Sequence, residues 1–206
     1  MIRMIAATLA AAGIAALIAG AAAAQDFEST YIRIDTGCSE FEHPDEPVWE
    51  TTCPGYQGWE VLIISGEHGS AEGYRSPAGQ ASDYMNPPMR GLFGHYGDVI
   101  EWRLDGGTPF ATIHRYYNDT PEMMDPDNAG EWQTLVVTAL QPGTPEVACH
   151  VAYIDASSLP NANEMARQAA DLLASEWFCG IDSPLSFDAN SEFDIPFLAA
   201  QRRPGH

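Results

Sequence analysis

Apolar and polar positions alternate with a period of two along much of this chain, which is the pattern of half-buried strands. In residues 29–36, Ile32 and Ile34 alternate with Tyr31, Arg33 and Asp35. WEVLIIS at 59–65 is β-branched and apolar on both faces, and GEHGSAEGYR at 66–75 offers the second strand of a hairpin. VIEWRL at 99–104 and FATIHRYYN at 110–118 flank DGGTP, whose adjacent glycines predict a tight hairpin turn. WQTLVVTAL at 132–140 and ACHVAYID at 148–155 complete the series. The intervening stretches 38–58, 76–96 and 119–130 are rich in proline, glycine or acidic residues and read as loops.

The period changes after Pro160. Met165, Ala169, Leu172, Leu173 and Trp177 fall on one face of a helix, with Asn161 as its cap, Glu164 as the capping-box partner and Gly180 as the residue that ends it. Arg167 and Asp171 would form an ion pair on the outer side. This order of elements predicts an α+β domain: an antiparallel sheet of about six or seven strands with one C-terminal helix packed on it.

The first 24 residues lie outside that domain. Arg3, an apolar run from Ile5 to Ile18 and small residues at Ala22, Ala23 and Ala24 have the form of a secretory signal peptide. The expected organisation is a signal peptide at 1–24, a single domain at 25–182 and a partly ordered tail at 183–206, with its last few residues frayed. Export fits the four cysteines, which in an oxidising compartment form two disulfides. Three connectivities are open. Cys38–Cys53 and Cys149–Cys179 are favoured because each closes a local loop between neighbouring elements.

Charge narrows the partners. The chain has 29 acidic residues against 9 basic ones, all arginine, for a net charge of −20. Such a surface repels nucleic acid and anionic lipid, and no segment after the signal peptide suits membrane insertion. It suits a basic protein partner, or it serves solubility alone.

Candidate chemistry is sparse. If Ile100, Trp102 and Leu104 face the same core as Ala111 and Ile113, then Glu101, Arg103 and His114 share the other face as an acid/base or anion-holding patch. Strict alternation puts His150 with Ala152 and Ile154, opposite Cys149, Val151 and Tyr153. Asp125 and Asp127, with Gly130, partly match a calcium loop, but Ala129 and Val136 stand where oxygen ligands are needed. No cofactor motif, nucleophile elbow or zinc spacing is present in the sequence, so no cofactor is expected.

The segments CPGYQGWEVLI, VIEWRL, PFATIHRYY and ACHVAYIDA followed by NANEMARQAAD resemble exported proteins of alphaproteobacteria that form a family without an assigned activity. The resemblance covers most of the chain after residue 24 and implies export and a shared fold, with no catalytic residue to carry over. The leading expectation is therefore a periplasmic or secreted binding domain without enzymatic activity, in one version an inhibitor-like module for a basic protein such as a lysozyme. The alternatives are a small periplasmic hydrolase using His114 or His150 with Glu101, and a structural protein of the envelope.

Overall fold

The computed structural model describes residues 27–192 and 194–202. The signal peptide expected at 1–24 and the fraying expected at the C-terminal end, 203–206, lie outside the described residues. The described chain is mostly sheet, in two layers rather than the single one expected. The strands are β1 (Glu28–Arg33), β2 (Ser39–Glu42), β3 (Trp49–Pro54), β4 (Glu60–Ser65), β5 (Ser70–Arg75), β6 (Phe93–Asp105), β7 (Thr108–Thr120), β8 (Gly130–Leu140), β9 (Ala148–Asp155) and β10 (Leu185–Phe187). Helix α1 spans Ala162–Leu173 and α2 spans Ile195–Arg202. The large sheet has the order β1-β6-β7-β8-β9-β10, and the small one runs β2-β3-β4-β5. All pairings are antiparallel except β10 with β9, which is parallel.

The long hairpin β6–β7 is the spine of the large sheet. Its two-residue turn pairs Asp105 with Thr108 across Gly106 and Gly107. Both glycines sit at positive φ (54° and 83°), which the tight turn requires and side chains resist. Both faces of this sheet are covered, so each grows its own core. On one face Ile100, Trp102 and Leu104 pack against Cys53, Trp59, Val61 and Tyr74 of the small-sheet layer. On the other, Ala111, Ile113, Leu135 and Val137 pack against Ala166, Ala169, Ala170 and Leu173 of α1. A helix face made of alanines lets the helix lie close on the strands.

The 38–58 stretch, expected as loop, contains the β2–β3 hairpin of the small sheet. Its signal was weak because β2 is only four residues long, is exposed throughout and sets a single apolar residue, Phe41, between its acids. The expected disulfides both form: Cys38–Cys53 ties the start of this hairpin to its end, and Cys149–Cys179 ties β9 to the segment that follows α1. Paired disulfides mark an oxidising compartment. Among the described residues no helix is long and apolar enough to cross a membrane.

Helix α1 also departs from expectation in its details. Asn161 makes no side-chain cap bond, and the helix gives way to a 3-10 turn at Ala174–Glu176 before Trp177, which is buried. Gly180 has the expected positive φ, but it serves a separate turn over Phe178–Ile181. Arg167 and Asp171 do not pair with each other on the outside. Arg167 Nε donates to Glu101 Oε1 at 2.8 Å, and Asp171 accepts from Arg103 at 2.9 and 2.7 Å. The two pairs clamp α1 to β6, and Ser29 of β1 donates to Glu101 at 2.5 Å while accepting from Arg103. The second helix, absent from the sequence reading, packs Ile195 and Ala199 into the same core.

The staple between β9 and the end of the helical segment closes a loop of 30 residues. Cys149→Ala/Cys179→Ala is expected to lower stability by about 2–4 kcal/mol in urea denaturation. A loss well under 1 kcal/mol would mean that the clamp and the alanine face hold the helix without it.

Candidate functional site

The most unusual side chains lie between the two sheets. Glu72 of β5 and His114 of β7 are both 0% exposed, and His150 of β9 is 4% exposed. Three elements deliver them to one point. Glu72 and Tyr74 share the inner face of β5, two residues apart. Ile100 pairs with His114 and Trp102 with Thr112, so His114 and Thr112 take the small-sheet face along with Ile100 and Trp102. In β9 an extra residue breaks the alternation: Val137 pairs with Ala152, while the next residue, Thr138, pairs with His150. This bulge puts Val151 and Ala152 together in the helix-side core and turns both His150 and Tyr153 toward the small sheet.

The Glu72 carboxylate is ringed by donors. Oε2 accepts from Tyr74 Oη at 3.0 Å and from His114 Nδ1 at 2.9 Å, and Oε1 accepts from Thr138 Oγ1 at 3.3 Å. Thr112 Oγ1 in turn donates to Tyr74 Oη at 2.9 Å. The far nitrogen of His114, Nε2, lies 2.7 Å from the carbonyl oxygen of Gly97, which can only accept. Both ring nitrogens of His114 thus face oxygen atoms, one of them in the Glu72 carboxylate. Tyr96 stacks on the ring with centroids 4.5 Å apart. His150 Nε2 stands 3.5 Å from Glu72 Oε1, close enough for charge attraction but outside an aligned hydrogen bond.

Burial alone would push the Glu72 carboxyl up. The bonds and charges of His114 and His150 outweigh burial and pull it down to about 2. The same negative charge acts on its neighbours. Burial first, then Glu72, pushes the Tyr153 phenol up to about 12 and that of Tyr96 well above its ordinary value. Both phenols stay protonated; Tyr153 Oη lies against His150 Nδ1, whereas Tyr96 Oη has no hydrogen-bond partner among the described residues.

This network forms the floor of a cleft of about 460 Å³. One wall is the strap 81–86, held along β5 by the backbone bonds of Glu72 with Met85. The other is formed by Pro145, Glu146 and the start of β9, with Asp182 and Pro184 beyond. Gln80 Nε2 ties the strap to the opposite loop through the carbonyls of Thr144 and Pro145. His150 and Tyr153 line the floor, joined by Nδ1 and Oη at 2.9 Å. On the rim, Asp83 and Glu146 are exposed and form no ion pair among the described residues, whereas Asp182 is taken by Arg202.

The sequence-derived patch does not assemble. Glu101 and Arg103 pair with Ile113 and Ala111, on the helix side of the large sheet, and are consumed by the clamp to α1. His114 is on the opposite side. The shared face assumed one core where there are two. His150 shares its face with Tyr153, and Ala152 and Ile154 take the other, because the bulge shifts the alternation. Asp125 and Asp127 lie in the 119–130 loop, where Asp125 accepts from the backbone and side-chain N–H groups of Asn128. Among the described residues no group of three His, Cys, Asp or Glu side chains is placed to hold a metal ion. Glu72, Tyr74 and Tyr153 were missed. The available signal was WEVLIIS itself: a strand apolar on both faces demands a second covering layer, and its hairpin partner carries the lone carboxylate.

The folded pKa of Glu72 lies below its unfolded value, so its contribution is complete above pH 4.5 and is lost as pH falls toward about 2. Urea denaturation across that window is expected to show the decline in the wild type and a flatter limb in Glu72→Gln. At neutral pH, that variant breaks the buried Glu72–His114 pair and is expected to lose about 3–5 kcal/mol. An unchanged acid limb would show that the carboxylate is not the group that titrates.

The chain matches no family model, no curated protein and no solved structure.

Proposed function

We propose that this protein is an exported, non-enzymatic binding module that accepts a cationic side chain of a basic partner in the cleft above His150 and Tyr153. The observation that carries this reading is the state of the rim. Asp83 and Glu146 line the cleft as carboxylates that pair with no cation among the described residues, where most arginines are already paired with other carboxylates. Tyr153 lines the same cleft and offers an aromatic ring on which a guanidinium can stack. Glu72 and His114 have no exposed surface and cannot touch a ligand. They hold His150 and the floor in place. The net charge of −20 adds long-range attraction for a basic protein. Two disulfides and the resemblance to exported proteins support a periplasmic or secreted setting.

A second reading has one observation in its favour. His150 has the Glu72 carboxylate 3.5 Å from one nitrogen and a hydroxyl, Tyr153 Oη, bonded to the other, an arrangement from which a general base could be built. Glu72 then stands in the role expected of Glu101. Turnover of ester or peptide substrates that vanishes in His150→Gln would favour the hydrolase over the binding module.

Immobilised protein is expected to retain a basic lysozyme at low ionic strength and to release it as salt approaches the physiological range, where surface charges are screened. Asp83→Asn/Glu146→Gln is expected to weaken retention at least tenfold, about 1.4 kcal/mol. No retention at low salt, or equal retention by the double variant, would overturn the reading.

A further inference from the structure

The opposite side of the large sheet carries a second groove, of about 340 Å³, where α1 stops short of covering β1, β6 and β7. We infer that this groove is a binding site for a carboxylate-bearing sugar, with Arg115 as the anion anchor and Tyr31 and Tyr117 as the stacking surfaces.

The inference starts from the arginines. Of the seven described, six stand within ion-pair distance of a carboxylate: Arg33, Arg75, Arg90, Arg103, Arg167 and Arg202. Arg115 has no carboxylate partner among the described residues. In so acidic a chain an unpaired guanidinium is the exception. It is not loose either. Nη1 donates to Gln133 Oε1 at 2.8 Å and Nη2 to Asn163 Oδ1 at 3.0 Å. Two neutral amides, one on β8 and one in the first turn of α1, fix the plane of the fork without neutralising its charge. Its remaining N–H donors are free for a planar, two-oxygen acceptor.

The carboxylates that line the groove do not cancel this charge. Asp98 lies 3.6 Å from Arg33, and Glu101 is bonded to Arg167. The aromatic rings supply the second element. Tyr31 is 55% exposed, and its hydroxyl is held by Arg167 Nη2 at 3.2 Å, so the ring is presented in a fixed pose. Tyr117 is half-buried and is backed by His95 in a stacked pair with centroids 5.4 Å apart. Gly97 keeps the space beside that ring open: a Cβ there would lie 3.1 Å from it. Rigid aromatic rings beside hydrogen-bonding Asn163 and Asp98 suit the apolar face and hydroxyls of a sugar, and the guanidinium selects one that carries a carboxylate.

The probes are trigalacturonic acid, the neutral trisaccharide galactotriose and acetate, each titrated into the protein while amide NMR shifts are followed. Trigalacturonic acid is expected to bind saturably, with shifts clustered at 31–33, 97–101 and 115–117, and galactotriose and acetate at least tenfold more weakly. Arg115→Gln is expected to weaken acid-sugar binding at least tenfold and to abolish the preference over galactotriose. Tyr31→Ala, at an exposed position that leaves the fold intact, is expected to weaken both sugars. The inference is overturned by equal binding of the neutral sugar, by equal binding of acetate, by shifts that map elsewhere, or by no saturable binding up to about 10 mM.

Discussion

A carboxylate with no access to water governs this structure. Glu72 sits where the two sheets meet, and an ionised carboxylate there is tolerable only if its oxygens are satisfied and a cation stands beside it. That requirement fixes β5 against β7 through His114, against β8 through Thr138 and against β9 through His150. The small sheet cannot slide over the large one by a residue without stranding a charge in the interior. Apolar contacts between the sheets favour close approach; the Glu72 network selects one approach among many.

The other face of the large sheet follows the same logic. Arg103 and Glu101 are nearly buried beneath α1 and find their partners in Asp171 and Arg167 on the helix. An alanine-rich helix face could rotate or shift on the strands at little cost in packing. Two crossed ion pairs of opposite polarity give it a single seat. In a chain with 29 acidic residues, most of the described arginines thus serve structure, which leaves the acidic surface largely uncompensated.

Much of the secondary structure was legible because it rests on local signals. The Gly106–Gly107 turn, the alternation in β6 to β9 and the helical period after Pro160 are all written in neighbouring residues. Both disulfides followed from the loops they close. What failed were statements about faces. Alternation says which residues lie together but not how many layers will cover them, so the hairpin β6–β7 was read with one core instead of two. Glu101 and His114 were thereby placed together, when the thickness of the sheet separates them. The bulge at Val151 is invisible to a strict period of two, and it alone decided the company of His150. The β2–β3 hairpin carries little apolar pattern to read, since its outer strand is short and exposed throughout.

The bulge in β9 also has a genetic meaning. Upstream of it Cys149 faces the helix side; downstream Tyr153 faces the cleft. Deleting the codon for Val151 would restore regular alternation and leave Cys149, His150, Tyr153 and Asp155 on the sides they now occupy, at the cost of a buried valine. A deletion at a regularly paired position of β7, from Ala111 onward, would turn every residue beyond it to the opposite layer, His114 among them if it fell upstream. The strand that bears both the staple and the cleft floor can thus lose one residue at its bulge without exchanging inside for outside. A chain one residue shorter between His150 and Tyr153 would therefore keep both in the cleft.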